Sequence, residues 1–309
     1  MEVIITAKVH PYLIDSFTAK GFTVTYLPSI TYAELLPIIG RATGLIVSTS
    51  IRVDVPLLDN AVQLQWIGRL GSGMDLIDVA YATTKGITCV SSPEGNCTSV
   101  GEHTLGLLLN LKNKITSSYL EIQQGQWIRE PNRSFELGSK TVGIIGLGHT
   151  GSAFAKLLPA FGCKILAHDT GKTGFGTEHI QEASLEQIFN EAHIVSLHIP
   201  MDKANYHYAN DAFFNAFQQQ PLFLNACRGK VTDTAALIRA LEKQQISGAG
   251  LDVLENEQLA TYTELERAQL NTLLHMSNVI ITPHLGGYSH EAFFKMSKIL
   301  IDKLAGFLN

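Results

Sequence analysis

Residues 141–151 read TVGIIGLGHTG: an apolar, β-branched run that breaks into Gly146, Gly148 and Gly151 and then continues with helical spacing. No other segment constrains the fold as strongly. In a G-x-G-x-x-G run between a strand and a helix, the first glycine makes the tight turn. The second lets backbone approach a pyrophosphate, and the third lets helix pack closely on strand. The new helix then offers unpaired N–H groups and the positive end of its dipole to an anion. The segment therefore predicts a βαβ unit that binds a dinucleotide. Asp169 closes the following strand, where a carboxylate accepts hydrogen bonds from an adenosine ribose. A 2′-phosphate would meet that carboxylate as like charge, with Lys172 as the nearest offsetting cation, so NAD is expected over NADP.

The rest of the chain repeats the alternation of short β-rich runs with helical patterns, the mark of α/β layers on a mostly parallel sheet. Early strands are expected at Val3 to Thr6, Thr23 to Tyr26, Leu45 to Ser48, Leu64 to Ile67 and Ile87 to Val90. Later ones are expected at Thr141 to Ile145, Lys164 to His168, Ile194 to Ile199, Leu222 to Asn225, Gly248 to Val253 and Val279 to Thr282. Between the two sets, a single helix is expected over Thr98 to Gln123, apolar around more of its circumference than one core-facing stripe requires. A chain of 309 residues exceeds one ordinary core, so two domains are expected. We place a substrate-binding domain at 1–94 plus 284–309 and a nucleotide-binding domain at 95–283.

Several function classes are disfavoured. A net charge of −5 without a basic run gives no footprint for nucleic acid or an anionic membrane. No secretory signal opens the chain and no apolar stretch reaches membrane-spanning length, which leads us to expect a cytoplasmic protein. Cys89, Cys97, Cys163 and Cys227 stand singly, without the spacing of a zinc site or a disulfide framework. His193 and His198 lie on opposite faces of a strand-like segment, and no H-x-x-x-H pair occurs, so no metal is expected.

Three polar clusters follow apolar runs in the second half, where side chains emerge at the carboxyl edge of a parallel sheet. They are NACRG with Arg228, LDVLENE with Asp252, Glu255 and Glu257, and TPHLGG with His284. Each residue alone has a bland structural explanation. Together they supply what reduction of a keto acid needs. An arginine clamps a carboxylate and polarises the carbonyl, and a histidine oriented by a glutamate exchanges the proton.

These phrases, with RLGSGMDLID, SPEGN, VGEH, GLGHTG and SLHIP in the same order, resemble the D-isomer-specific 2-hydroxyacid dehydrogenase family. The resemblance covers nearly the whole chain. It implies two Rossmann-like or flavodoxin-like doubly wound parallel-sheet domains. It also implies catalytic roles for Arg228, Glu257 and His284, with Glu255 a near alternative because Gln258 stands where the family usually has proline. His149 and Thr150 would lie beside the pyrophosphate, with His198 and Pro200 of SLHIP also at the cofactor. Asp252 would face the nicotinamide carboxamide and the Cys227 backbone would border the ring. Leu70, Gly71, Ser72 and Gly73 match the loop whose amides hold the substrate carboxylate. Arg69 beside them is either structural or part of that loop's function.

The substrate implied is a small anionic 2-hydroxy or 2-keto acid. Arg52, and Arg129 within Trp127-Ile128-Arg129, match basic positions of phosphoglycerate dehydrogenases, although Ser48 replaces an arginine common in that group. This favours 3-phosphoglycerate over glyoxylate or hydroxypyruvate, and no appended regulatory domain is expected. A homodimer built on the Thr98 to Gln123 helix is also implied. The alternative in another class is an NAD-sensing binding protein resembling the family's transcriptional corepressors. Formate dehydrogenases are disfavoured because they pair the histidine with glutamine.

Overall fold

The computed structural model describes residues 1–308, and the chain divides into two compact units, Met1–Cys97 with Gly287–Asn309 and Thr98–Gly286. The later boundary lies three residues beyond the expected 283 and leaves His284 in the larger unit.

The smaller unit holds a five-stranded parallel sheet of β1 (Glu2–Ile5), β2 (Thr23–Tyr26), β3 (Gly44–Val47), β4 (Trp66–Arg69) and β5 (Thr88–Ser91), in the order β2-β1-β3-β4-β5. Parallel strands need helical crossovers on both faces, so the central ones are buried throughout. Every residue of β3 and β4 is buried. Gly44 pairs with Trp66, and a Cβ there would lie 2.0 Å from the indole, so only glycine admits the ring in this register. Trp66 in turn stacks on Phe17 at 5.5 Å. Helix His290–Lys303 completes this unit, with Leu300 and Leu304 in one core with Val3, Ile5 and Trp66.

The larger unit holds seven parallel strands: β6 (Thr141–Ile145), β7 (Lys164–His168), β8 (Gln181–Glu182), β9 (Ile194–Leu197), β10 (Leu222–Asn225), β11 (Gly248–Leu251) and β12 (Val279–Ile281). Their order is β12-β11-β10-β9-β6-β7-β8. From β6 the chain winds outward through β7 and β8, then returns to β9 on the other side of β6 and winds outward again. Such a reversal opens a crevice at the carboxyl ends of β6 and β9, the usual ligand site of doubly wound sheets. The two-residue β8 escapes sequence reading because it is too short and polar to show a period.

The expected single helix over Thr98 to Gln123 is two helices, Pro93–Asn113 and Ile115–Gln123. Lys114 between them is left-handed at φ 51°. Asn110 makes the break, its Oδ1 accepting the Thr116 N–H at 2.9 Å and its Nδ2 donating to the Thr116 hydroxyl at 2.9 Å. An asparagine side chain that mimics backbone competes with helix continuation in this way. Among the described residues no helix is long and apolar enough to cross a membrane.

Candidate active site

The glycine turn has the shape its spacing requires. Gly146 sits at φ 92°, and a Cβ on Gly151 would lie 2.0 Å from the Gly146 carbonyl oxygen, so the third glycine is required by backbone contact. Helix His149–Leu157 begins here with Gly148 as its N-cap and no capping side chain. Its first amides are therefore available to an anion. His149 is exposed and Thr150 half-buried.

Asp169 is already tied into the turn. Its Oδ2 accepts the Leu147 N–H at 2.7 Å and its Oδ1 the Gly171 N–H at 2.9 Å, while Lys172 Nζ donates to the Leu147 carbonyl at 2.6 Å. Each carboxylate oxygen keeps acceptor capacity for a ribose hydroxyl. A cavity of about 440 Å³ adjoins Asp169 and Lys172, lined also by Phe175 and Gln187.

His198 does not present its ring to the crevice. The imidazole is buried, with Nε2 2.9 Å from the Ser196 hydroxyl and Nδ1 3.3 Å from the Thr150 hydroxyl. Burial pushes its pKa down to about 4, so it is a neutral strut between β9 and the glycine turn. Pro200 is exposed, and its carbonyl accepts from Asn205 at 3.0 Å.

The three polar clusters follow β10, β11 and β12, adjacent strands of one sheet, and are laced together by their backbones. Asn225 ends β10, accepts the Cys227 N–H at 3.0 Å and donates to the Arg228 carbonyl at 3.0 Å, which shapes the Cys227–Arg228 turn. Arg228 Nη1 donates to the Cys227 carbonyl at 2.7 Å. A Cβ on Gly229 would lie 1.8 Å from the Leu254 carbonyl oxygen, so this turn rests directly on the loop carrying the glutamates.

The two acids of that loop have separate partners. Glu257 Oε2 lies 2.9 Å from His284 Nδ1. Glu255 Oε1 lies 2.5 Å from His207 Nε2, and its Oε2 accepts the Thr234 N–H at 2.9 Å. Glu255 is thereby occupied, and of the two acids that the sequence left open it is Glu257 that meets His284. His284 is left-handed at φ 56°, and among the described residues its Nε2 has no hydrogen-bond partner.

Asp252, 1% exposed, sits beneath this histidine. Burial opposes its ionisation, but donations from His103, Thr282, Gly286 and Leu285 outweigh that and hold the carboxyl below its usual range.

In the smaller unit the Leu70–Gly73 loop differs from expectation at one amide. Gly71, at φ 122°, donates its N–H to Ser92 Oγ at 3.1 Å and accepts from Ser92 N–H at 3.0 Å. The Gly71 amide is thus spent internally, and among the described residues only the Ser72 and Gly73 amides of this glycine segment lack an acceptor. Ser72 Oγ donates to Asn96 Oδ1 at 3.0 Å. Arg69 is buried and donates from Nη1 to the Leu70 carbonyl at 2.5 Å, which makes it a brace of the loop. Ser92 and Asn96 were not singled out from sequence, and a serine or asparagine after a strand carries no signal of what it will cap. Arg52 and Arg129 are both exposed. Among the described residues no cluster is suited to hold a metal ion.

Residues 105–286 match the family model described as D-isomer specific 2-hydroxyacid dehydrogenase, NAD binding domain. The chain belongs to the D-isomer-specific 2-hydroxyacid dehydrogenase family. The hydroxypyruvate reductase of Thermotoga maritima is 32% identical over 273 residues, covering 88% of this chain and 86% of that protein. The D-3-phosphoglycerate dehydrogenase of Archaeoglobus fulgidus is 28% identical over 306 residues, 98% of this chain but 56% of that protein. The chain thus spans about half the length of the phosphoglycerate dehydrogenases it matches. Among solved structures of family members, D-lactate dehydrogenase from Aquifex aeolicus, complexed with NAD and lactic acid, aligns with a TM-score of 0.86 at 26% identity. That alignment covers 100% of this chain and 95% of that one.

Proposed function

We propose that this protein is an NAD-dependent oxidoreductase acting at carbon 2 of a small D-2-hydroxy or 2-keto acid. The observation that carries the reading is the His284–Glu257 pair, 2.9 Å apart, on strand ends adjacent to that of Arg228 and in one sheet with the glycine turn. The cradle fits a dinucleotide, because Gly146 and Gly151 are required by backbone contact, Gly148 leaves open space at the turn, and the helix N-terminus is uncapped. The Gly148–Gly151 segment would hold the pyrophosphate and Asp169 the adenosine ribose. When bound, NAD supplies or accepts the hydride.

Arg228 takes the substrate carboxylate and polarises the neighbouring carbonyl. The Ser72 and Gly73 amides form a second donor pair for the same anionic class. With Nδ1 held by Glu257, Nε2 of His284 is the atom that exchanges a proton. In reduction it donates to the oxygen on carbon 2 as that carbon becomes tetrahedral, and in oxidation it withdraws the proton. Within the class, 3-phosphoglycerate is the first substrate to test, followed by hydroxypyruvate and glyoxylate.

A panel assay decides the reading: NAD reduction with 3-phosphoglycerate, and NADH oxidation with hydroxypyruvate, glyoxylate and pyruvate. Tight NADH binding without turnover of any of them would replace this proposal with a cofactor-sensing role. We also propose a homodimer through helix Ile115–Gln123 and the 82% exposed Trp127. Light scattering that gives the mass of one chain would refute it.

A further inference from the structure

Helix Pro93–Asn113 touches the nucleotide-binding unit's chemistry at two points. Gly101 lies against the backbone of helix His149–Leu157, where a Cβ would come 2.9 Å from the Ala153 carbonyl carbon. Half a turn on, His103 reaches the strand ends. Its Nε2 lies 2.9 Å from Thr282 Oγ1 and 3.1 Å from Asp252 Oδ1, while the Thr282 hydroxyl donates to Asp252 Oδ1 at 2.6 Å. The carboxylate only accepts and the threonine proton is already given to it, so His103 must carry a proton on Nε2 and share it between the two oxygens.

What that carboxylate holds is the backbone around His284. Asp252 takes three consecutive amides of the turn: its carbonyl accepts from His284 at 2.8 Å, Oδ1 from Leu285 at 2.8 Å and Oδ2 from Gly286 at 2.7 Å. A non-glycine residue at φ 56° persists only when its surroundings enforce it. Here the His284 amide is held by the backbone carbonyls of Asp252 and, at 3.0 Å, Thr282, and the next two amides by the buried Asp252 carboxylate. Gly286 is part of the same fit, since a Cβ there would press on Asp252 Oδ2 at 2.9 Å.

We infer that His103, acting through Thr282 and Asp252, is a positioning residue that fixes the turn from which His284 delivers its proton. The inference rests on the proton-transfer role proposed for His284. Without the His103 N–H, the Asp252 carboxylate and the Thr282 hydroxyl lose their common donor, and the Leu285 and Gly286 amides that follow His284 are held by a group free to reorient. His284 then samples ring positions that no longer aim Nε2, and turnover falls while cofactor and substrate still bind.

The test compares His103→Leu, which fills space without a donor, with His103→Gln, whose amide places a donor near Nε2, and with His284→Ala. His103→Leu is expected to lower kcat tenfold or more. KM for the keto acid and the NADH Kd, read by fluorescence, should stay within about threefold. Amide hydrogen exchange at 285 and 286 in the enzyme without substrate should accelerate, and His103→Gln should recover most of the loss. The inference is overturned if His103→Leu keeps kcat while His284→Ala loses it, if the glutamine is as impaired as the leucine, or if the NADH Kd rises in step with the fall in kcat. Equal activity of His284→Ala and the parent would instead sink the role of His284 itself. Should His103→Leu fail to fold, Thr282→Val removes the bridging hydroxyl isosterically and must show the same split between kcat and KM.

Discussion

Two glutamate–histidine pairs spring from one short loop, and they are partnered differently. Glu257–His284 and Glu255–His207 have the same chemistry, comparable lengths of 2.9 and 2.5 Å, and a left-handed histidine in each, at φ 56° and 51°. The surroundings differ. His207 is stacked on Tyr206 at 4.0 Å, its N–H bonds the Lys230 carbonyl, Asp233 stands 3.9 Å from its other ring nitrogen, and its glutamate also caps the Thr234 amide. Both carboxylate oxygens of Glu255 and the Nε2 of His207 are engaged, and its Nδ1 faces Asp233 beyond hydrogen-bond reach. Among the described residues, Nε2 of His284 has no partner. The ring atom left over, more than the ion pair, is what sets apart the histidine proposed as the acid–base residue.

Substitutions separate the pairs. His284→Ala should lower turnover roughly a hundredfold or more if it moves the proton. His207→Ala should leave kcat within a few fold and instead lower the melting temperature. Equal kinetic losses at both positions would erase the distinction drawn here. At the glutamates the contrast is expected again, smaller: Glu257→Gln should cut kcat about tenfold or more, and Glu255→Gln should act chiefly on stability.

A third histidine, buried rather than paired, sharpens the comparison through pH. His198 has a folded-state pKa of about 4 against an ordinary 6.5, so the unfolded chain binds its proton first. Its contribution is fully present above about pH 6.5 and is lost as pH falls toward 4, on the order of 3 kcal/mol across that window. Denaturant midpoints of the parent should therefore decline faster over this range than those of His198→Gln. Parallel slopes would show that the ring is not held neutral. The smallest effect is expected at Gln244, also left-handed at φ 56° but exposed at a helix end. With no ion pair to enforce its backbone, Gln244→Gly should stabilise by up to about 1 kcal/mol, whereas His207→Gly should destabilise.

Strand positions were legible because parallel strands buried on both faces are nearly continuous apolar runs, and β6, β7 and β10 lie where the sequence places them. Arg228 and His284 were legible for a related reason: a charge directly after such a run must emerge at the sheet edge. The rest was hidden by interactions between residues distant in sequence. Nothing local distinguishes Glu255 from Glu257, because the partner histidines lie 48 and 27 residues away. The helix break at Lys114 was missed because an ordinary helical pattern continues through it, and the cause is an asparagine folding onto a later amide. Gly71 is a glycine where a free amide was expected, but a serine from the next strand takes that amide.

The discontinuous smaller unit has a consequence for how the molecule is made. Its core joins Val3 and Ile5 to Leu300 and Leu304, residues from the two ends of the chain. A ribosome adding about 5–20 residues per second completes the entire Thr98–Gly286 unit before the helix that closes the first one has been translated. The amino-terminal strands must wait in that interval with an apolar face uncovered. That uncovered face is where a chaperone would act during synthesis.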